Sequence, residues 1–421
     1  MPIADSRTFL TSLFDAAVSA ADPERTIKEH LPPKPRGRTI VIGAGKGSSQ
    51  MARALETVWD GALEGVVVTR YGYAIPCKRI EVLQSAHPVP DEAGLEGSKR
   101  LLETVSGLTD ADLVIALISG GGSALLPAPA GSLTLADEIA VNRALLSSGA
   151  PIAAMNTVRK HVSAIKGGRL AAAAFPAKVV SLVVSDIPGD EPALVASGPT
   201  IPDGSTREDA LRIVDTWRMD LPAAVMAHLG SPAADAPKPD DRRFARNDVR
   251  LIASAAVSLE AAAAQARRHG VEPVILSDAI EGEAREVGSV HAAIAREVAT
   301  RDRPFAKPVV ILSGGETTVT LRGKGKGGRN SEFLLSFALG IQGLGGIEAL
   351  AADTDGIDGS EDNAGAFADG GSVARMRVAG IDARARLVGN DAWTAFNAIG
   401  DLFAPGPTGT NVNDLRAILI R

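Results

Sequence analysis

Short runs of apolar, β-branched residues alternate with alanine-rich stretches along most of the chain. The runs are RTIVIGAG, EGVVVTR, ADLVIALISG, AKVVSLVVSD, VRLIASA, VEPVILSD and KPVVILSGG, and polar or glycine turns and helix-like sequence follow them. Strand sequences that are this continuously apolar are typical of sheets covered by helices on both faces. The alternation therefore predicts an α/β fold with mostly parallel sheets.

The length and one unusual segment predict two domains. A chain of 421 residues has room for two or three domains of ordinary size. Residues 231–248 combine prolines with a dense cluster of charges and have no apolar period, which is typical of an exposed connection. We expect an N-terminal, Rossmann-like α/β domain over 1–235 and a C-terminal α/β part over 249–421.

Composition excludes several classes of protein. Lys plus Arg total 44 and Asp plus Glu total 50, a net charge of −6, so the chain has no basic footprint for nucleic acid. The single cysteine, Cys77, cannot form an internal disulfide and suits a reducing cytosol. The apolar strand-like run LVIALI is far shorter than the roughly 20 residues of a spanning helix. We expect a cytoplasmic protein with no nucleic-acid or membrane partner.

A first glycine turn follows the strand at 39–42. Backbone N–H groups and the start of a helix at such a turn favour an anion, so Gly43 and Gly45 are candidate phosphate-binding residues and Lys46 a cation that neutralises phosphate charge. The turn does not match the dinucleotide-binding motif fully, because Ser48 stands at the position of the third glycine. It does not have the spacing of a Walker A motif either. A tight turn with a solvated lysine is the structural alternative.

A second glycine loop follows the strand at 113–118. Its glycines, Gly120, Gly121 and Gly122, cost backbone entropy that a simple turn does not require, so close approach of a ligand to the main chain explains them better than a flexible loop. The flanking hydroxyls of Ser119 and Ser123 can join the backbone donors around a phosphate chain.

Two further groups of charged residues bear on anion and metal binding. In NTVRKHVSAIKGGRLAAA, Arg159, Ser163 and Lys166 fall on one helix face that could meet an anion, and a solvated basic face is the alternative. Asp186 and Asp190 follow the strand at 179–184, where open α/β sheets place their ligands. They are the candidate Mg²⁺ ligands, although Asp186 could instead cap a turn.

The last 110 residues add glycine-rich loops with charges. Residues 323–329 alternate glycine with cations and end in Arg329, so this loop could close over phosphates. Asp355 belongs to a group of aspartates that resembles a calcium loop but has Ala364 where the twelfth-position glutamate would stand. A magnesium or substrate-hydroxyl role fits these aspartates better, with Asp-Gly turns as the alternative. His87, directly before Pro88, receives no catalytic role at this point.

Ten segments in order resemble one family. They are GAGKGSSQMA, SAHPVPDEAG, SGGGSALL, NTVRKHVSAIKGGRLA, VVSDIPGD, ASGPT, SGGETTVT, GKGGRNSEFLL, TDGIDG and TGTNVNDL. This ordered set resembles the bacterial and archaeal glycerate 2-kinases that have a C-terminal MOFRL domain, here about 305–415. The resemblance implies two α/β domains with an active-site cleft between them, and ATP-dependent phosphorylation of D-glycerate on its 2-hydroxyl. It also implies that Lys46 and Arg329 are catalytic.

The residues then suggest a division of roles. Phosphoryl transfer needs positioning and charge neutralisation more than covalent chemistry. We expect the 119–123 loop to hold the ATP phosphates, with Lys166 as a further binding residue, and Lys46 and Arg329 to stabilise the transferring group. We expect a carboxylate, Asp355, to accept the hydroxyl proton.

Two other functions stay open. The oligomeric state also stays open, with a homodimer as one alternative. Some relatives are called hydroxypyruvate reductases, and an NAD(P)H-dependent reductase would need a dinucleotide site. Ser48 and the missing ribose-binding acid after EGVVVTR disfavour it, whereas Arg70 could meet the 2′-phosphate of NADPH. A non-catalytic binding protein for sugar acids or nucleotides is the second alternative.

Overall fold

A computed structural model describes residues 5–187 and 189–421. The chain forms two compact units, one of residues 23–252 and one that combines the N-terminal segment up to Asp22 with residues 253–421. Helix α1 (Ser6–Ala20) thus belongs to the second unit. The units differ in this respect from the expected division, which placed α1 in a domain over 1–235. Sequence periodicity identifies the helix but carries no information about which sheet it covers.

The first unit contains a six-stranded sheet in the order β3-β2-β1-β4-β5-β6. Its strands are β1 (Thr39–Ala44), β2 (Glu64–Arg70), β3 (Ile80–Ser85), β4 (Leu113–Ile118), β5 (Lys178–Val184) and β6 (Asp248–Ala253). The four pairings that join β3, β2, β1, β4 and β5 are all parallel. The predicted parallel α/β fold is confirmed for this unit.

Helices cover both faces of this sheet: α2 (Pro23–Glu29) and α3 (Ser48–Val58) lie on one face, and α4 (Glu92–Thr104), α5 (Gly122–Leu125) and α8 (Arg169–Ala173) lie on the other. Helices α6 (Leu135–Ser148), α7 (Ile152–His161), α9 (Arg207–Thr216) and α10 (Ala223–Leu229) pack together in a separate apolar core. Alternate residues of β4 enter different apolar cores: Val114 and Ala116 lie in one, and Ile115 and Leu117 in the other. A strand buried on both faces reads as a continuous apolar run, which is the pattern seen in the sequence.

The second unit contains a mixed sheet in the order β13-β12-β11-β14-β9-β7 and a two-stranded one. The strands are β7 (Glu272–Ser277), β8 (Gly282–Glu283), β9 (Val309–Gly315), β10 (Thr317–Thr318), β11 (Ile347–Asp353), β12 (Gly365–Asp369), β13 (Leu402–Phe403) and β14 (Asp414–Ile420). In the larger sheet β7 pairs with β9 in parallel, and the other pairings are antiparallel. The expectation of a mostly parallel sheet is wrong here, because the C-terminal strand β14 enters between β11 and β9 in the opposite direction.

Helices α11 (Ala255–Arg268), α12 (Ala284–Arg301), α13 (Arg329–Gly340), α14 (Ser372–Val378), α15 (Ala383–Val388) and α16 (Ala392–Asn397) complete this unit. Helix α1 packs with α11 in one apolar core, and α12 and α13 form another. Residues 330–338 of α13 are all buried, which fixes the position of Arg329 at the first turn. In the described part of the chain, no helix combines the length and the apolar character that crossing a membrane requires.

Candidate active site

The first glycine turn uses its N–H groups within the protein. Gly43 lies inside β1 and is paired with both neighbouring strands. The N–H of Gly45 donates to Val68 O at 3.2 Å, and the N–H of Lys46 donates to Gly120 O at 2.8 Å. The predicted role of Gly43 and Gly45 in holding phosphate is therefore wrong, since these amides already have partners.

Close packing explains these two glycines instead. A Cβ atom on Gly43 would lie 2.5 Å from Leu117 O, and one on Gly45 would lie 2.1 Å from Ser119 Oγ. Gly45 also has a φ of +137°, which side chains rarely adopt. The glycines let the first turn lie directly against the start of the second loop, and that contact positions Lys46.

The second glycine loop has the open N–H groups. Ser119 donates its own N–H to Ala44 O at 3.0 Å, and its Oγ accepts the N–H of Gly47 at 3.0 Å. From Gly120 to Ser123, by contrast, no N–H donates to any residue that the structure describes. Gly121 has a φ of +79° and directly precedes α5. Such a run of donors favours an anion, and phosphate binding by this loop stays a prediction.

Charged side chains converge on this loop at the carboxyl edge of the sheet. A Cβ atom on Gly121 would lie 3.1 Å from Lys46 Cγ and 3.2 Å from His87 Nε2, so both side chains contact the loop. A Cβ atom on Gly120 would lie 1.6 Å from Asp186 Oδ2. The structure thus brings Lys46 and Asp186 to the 119–123 loop, and adds His87, which the sequence reasoning left out.

A hydrogen-bond chain supports the far end of the loop. Ser123 Oγ lies 2.6 Å from Ser197 Oγ, and Ser197 Oγ donates to Asn156 Oδ1 at 3.0 Å. Arg159 donates to the same Asn156 oxygen at 3.0 Å. The Arg159 side chain thus supports the loop from within the protein, and no free basic face exists there. Sequence reasoning missed Ser197, although the segment ASGPT was conspicuous.

Ser197 lies in a strained segment. The φ angles of Ala196 and Ser197 are 53° and 59°, and Gly198 continues in the left-handed region at 59°. Such backbone costs on the order of 1–3 kcal/mol per non-glycine residue and persists where the surroundings impose it. Here the strained backbone carries the Ser197 hydroxyl that is hydrogen-bonded to Ser123.

Lys166 does not bind the nucleotide, contrary to our expectation. Its side chain is 1% exposed and its Nζ donates to Glu138 Oε1 at 2.6 Å and to Leu126 O at 2.7 Å. Glu138 also accepts the N–H of Ala128 at 3.0 Å. The ammonium group is enclosed with its counter-ion, so it fixes the segment after α5 and has no access to a ligand.

The carboxylates at this edge fit a hard cation. Asp186 lies against Gly120 of the loop, and Asp190 follows in a turn with a φ of 52°. In residues 5–187 and 189–421, no group of three or more His, Cys, Asp or Glu side chains could hold a metal ion. A Mg²⁺ ion is commonly held by one or two carboxylates together with phosphate oxygens and water; Asp186 beside the loop fits that arrangement, and the role of Asp190 stays a prediction.

Arg329 of the second unit is held by acids. Its Nε donates to Asp414 Oδ1 at 2.7 Å, one Nη donates to Asp353 Oδ2 at 2.6 Å, and the other lies 3.4 Å from Glu316 Oε1. Burial opposes its charge, but Asp414, Asp353 and Glu316 outweigh burial and raise the pKa of Arg329 above its ordinary value. The guanidinium is thus permanently charged and fixed in direction.

Two of these acids, Asp353 and Asp414, are buried. Burial raises the pKa of Asp353 well above its ordinary value, and Arg329 opposes that shift. Asp414 also accepts from Asn330 Nδ2 at 2.7 Å and from the fully buried Arg416 at 2.6 Å. Two arginines therefore share Asp414, which makes it the central acid of the group.

The other two aspartates of this region shape the backbone. Asp355 is half-buried, and its Oδ1 accepts the N–H of Ile357 at 2.8 Å. Asp358 is buried and accepts the N–H groups of Asn330 and Ser331 at 2.9 and 2.8 Å, so it caps α13. A catalytic role for Asp355 stays a prediction.

A cavity of about 300 Å³ adjoins Arg329 within the second unit. Glu332 lies in its wall and accepts from Arg285 at 2.7 Å and from Asn390 at 2.9 Å. The glycine-rich loop before Arg329 is attached nearby, since the N–H of Lys326 donates to an Asp391 carboxylate oxygen at 3.0 Å. Arg329 therefore forms part of the lining of this cavity.

The two units define a class of protein: a parallel α/β unit with a glycine loop and a lysine at its carboxyl edge, joined in sequence to a mixed α/β unit with a fixed arginine. Two family models match the chain, a domain of unknown function (DUF4147) over residues 9–230 and the MOFRL family over residues 309–414. The chain belongs to the glycerate 2-kinase family with a C-terminal MOFRL domain.

Relatives with curated names cover nearly the whole chain. An Agrobacterium vitis protein named "Putative hydroxypyruvate reductase" is 54% identical over 99% of this chain and 94% of its own length. The D-glycerate 2-kinase of Thermotoga maritima is 39% identical over 95% of this chain and 94% of its own length. A crystal structure of glycerate kinase from Thermotoga maritima superposes with a TM-score of 0.89 at 38% identity, covering 98% of this chain and 99% of that one.

Proposed function

We propose that this protein is a glycerate 2-kinase that transfers the terminal phosphoryl group of ATP to the 2-hydroxyl of D-glycerate. The observation that carries the proposal is the position of Lys46 against the open N–H groups of Gly120–Ser123. An ammonium group beside unpaired main-chain donors is an arrangement for a polyanion. The names of the relatives support the choice of glycerate and ATP.

In this mechanism the loop binds phosphate oxygens through its N–H groups, and Lys46 neutralises charge that develops on the transferring group. Asp186 and Asp190 would hold Mg²⁺, which supplies further charge neutralisation to the phosphates when bound. No covalent intermediate with the protein is required, since phosphoryl transfer depends on positioning and electrostatics.

Arg329 supplies a second fixed cation to the transferring group. Two of its nitrogens are held by Asp414 and Asp353, whereas the third faces Glu316, whose side chain is half exposed. A phosphoryl oxygen can replace Glu316 at that nitrogen without loss of the other two bonds. The acids orient the guanidinium before substrate binds, which limits the entropy cost of reaching the transition state.

The rival reductase is disfavoured by the first glycine turn. A dinucleotide pyrophosphate needs free N–H groups there, and those of Gly45, Lys46 and Gly47 have partners within the protein. Arg70, the residue that kept NADPH in consideration, lies over the ring of Tyr73 with 4.2 Å from Cζ to the ring centroid.

A pair of assays tests the proposal. We expect the purified protein to release ADP from ATP only when D-glycerate and Mg²⁺ are present, with 2-phosphoglycerate as the product identified by mass spectrometry. Hydroxypyruvate with NADPH should give no change in absorbance at the NADPH band. Oxidation of NADPH together with the absence of ADP release would establish the reductase instead. Ligand-induced thermal stabilisation without either turnover would favour a binding protein.

Asp414→Asn should lower kcat by about 100-fold, because Arg329 loses the carboxylate that orients its Nε and misplacement by about 1 Å costs this much. The Michaelis constants should stay within a few-fold of wild type. The melting temperature should also fall, because buried Arg416 loses its counter-ion. Steady-state kinetics and a thermal melt measure both effects, with the exposed Asp362→Asn as the control. A wild-type kcat in Asp414→Asn would show that Arg329 needs no such orientation.

A further inference from the structure

His87 is held rigidly beside Lys46. It follows β3 after two residues that are tied to their surroundings: Ser85 donates its hydroxyl to Leu125 O at 3.3 Å, and the N–H of Ala86 donates to Asp91 Oδ1 at 3.3 Å. The His87 ring is half-buried, with Nε2 3.2 Å from the position of a Cβ on Gly121. The imidazole therefore occupies a defined place at the open N–H groups of the loop.

The hydrogen bonding of His87 differs from that of the other histidines. The chain has six histidines, and a ring nitrogen of His30, His161, His228, His269 and His291 is hydrogen-bonded within the protein. For His87, neither ring nitrogen has a partner among the residues described. A half-buried polar ring whose nitrogens have no partner in the protein, and which faces the loop, is suited to form a hydrogen bond with a ligand instead.

The ring is also uncharged near neutral pH. Burial, together with the cations Lys46 and Arg70, lowers the pKa of His87 to about 4. A neutral imidazole has one nitrogen with a free lone pair, so it can take a proton, which Lys46 and Arg70 in their charged forms cannot do. The same cations make the imidazolium short-lived, so the proton would pass readily to solvent after transfer.

We propose that His87 is the catalytic base of the reaction, accepting the proton of the substrate 2-hydroxyl. This inference rests on the proposed glycerate 2-kinase function. The O–H bond of the 2-hydroxyl breaks as its oxygen bonds to the terminal phosphorus of ATP. The bond from that phosphorus to the bridging oxygen breaks, and its electron pair leaves with ADP. The proton goes to the free nitrogen of His87 and then to water.

Asp355 is the competing base. Its Oδ1 already accepts the N–H of Ile357 at 2.8 Å, and its own N–H donates to Asp353 Oδ1 at 3.1 Å. These bonds are those of an Asx turn and occupy one of its two oxygens. The ring of His87 makes no such hydrogen bond to the residues described, and for this reason His87 is the better candidate for the catalytic base.

The test compares His87→Gln with Asp355→Asn and with the control His269→Gln, which changes an exposed histidine. Glutamine keeps a hydrogen-bonding side chain but cannot hold the proton. We expect His87→Gln to lower kcat by about 10²–10⁴-fold, with the KM for ATP within threefold of wild type and an unchanged melting temperature. His269→Gln should match wild type. His87→Asn should reproduce the loss, which guards against an effect specific to glutamine.

Two results would overturn the assignment. One is a kcat in His87→Gln within threefold of wild type, and the other is an increase in the KM for glycerate with kcat unchanged, which would make His87 a binding residue only. These results differ from failure of the proposed function, because in that case the wild-type protein itself would release no ADP with glycerate.

Discussion

Replacement of Lys46 by methionine should lower kcat for glycerate phosphorylation by about 10³-fold or more, the scale on which a fixed cation at a transferring phosphoryl group acts. Methionine keeps the length of the side chain and removes its charge. The main-chain bonds of residue 46, from its N–H to Gly120 O at 2.8 Å and from Thr69 Oγ1 to its carbonyl at 3.2 Å, do not involve the side chain. The variant should therefore fold as the wild type does, and the loss should be catalytic.

A coupled ADP-release assay measures this effect, and a thermal melt confirms the fold. The matched control is Lys99→Met, which removes an exposed lysine whose Nζ lies 3.9 Å from a Glu103 carboxylate oxygen on α4. That control should keep wild-type kinetics. If Lys46→Met retained even a tenth of the wild-type kcat, Lys46 would not neutralise the transferring group, and the kinase proposal would lose the observation that carries it.

Arg329 offers an internal check on the same idea. Lys46 and Arg329 are proposed to stabilise one transition state. A variant in which both are replaced should therefore lose much less activity than the product of the losses in the two single variants, because the free-energy contributions of groups that act as a unit are not additive. Fully multiplicative losses would mean that the two cations contribute independently of each other.

The elements of the first unit were predictable because each rests on local sequence. Val114 and Ile115 face opposite cores, so a continuous apolar run was enough to indicate a strand covered on both sides. The loop before α5 was visible in the glycine run that ends at Gly122. Lys46 and Asp186 both follow strands of the parallel sheet, and the general rule that ligands of such sheets bind at the carboxyl edge made both of them candidates.

The partners of particular groups could not be read from the sequence. The first glycine turn has the composition of an anion site, but its N–H groups bond to Val68, Gly120 and Ser119, which lie far away in sequence. Insertion of β14 beside β11 depends on long-range pairing that local patterns do not encode. In each case the missing information was a contact between distant segments.

The same limitation explains Lys166. It stands in a run of basic residues that looks like a solvated or anion-binding face, and nothing local indicates that its counter-ion is Glu138 on α6. His87 shows the opposite case, since a lone histidine before a proline has no distinguishing pattern. Its position beside Lys46 emerges only when the chain is folded.

Glu138→Ala should destabilise the first unit by about 3–5 kcal/mol, the cost of leaving one member of a buried ion pair without its partner. The change leaves the Lys166 ammonium, 1% exposed, with Leu126 O as its remaining partner. It also removes the acceptor of the Ala128 N–H. For a unit of this size each kcal/mol lowers the melting temperature by about 2–4 °C, so a fall of about 6–20 °C is expected in a thermal melt followed by circular dichroism.

The double variant Glu138→Leu with Lys166→Met separates the charge effect from packing. A buried pair replaced by apolar side chains of similar size often costs little, so this variant should recover most of the lost melting temperature. Glu103→Ala, which changes an exposed side chain of α4, is the control and should change the melting temperature by less than about 2 °C. Because the pair anchors the segment after α5, Glu138→Ala should also raise the KM for ATP at a temperature where the variant remains folded. A melting temperature within 2 °C of wild type in Glu138→Ala would mean that water reaches Lys166, and the enclosed lysine would again be available to an anion.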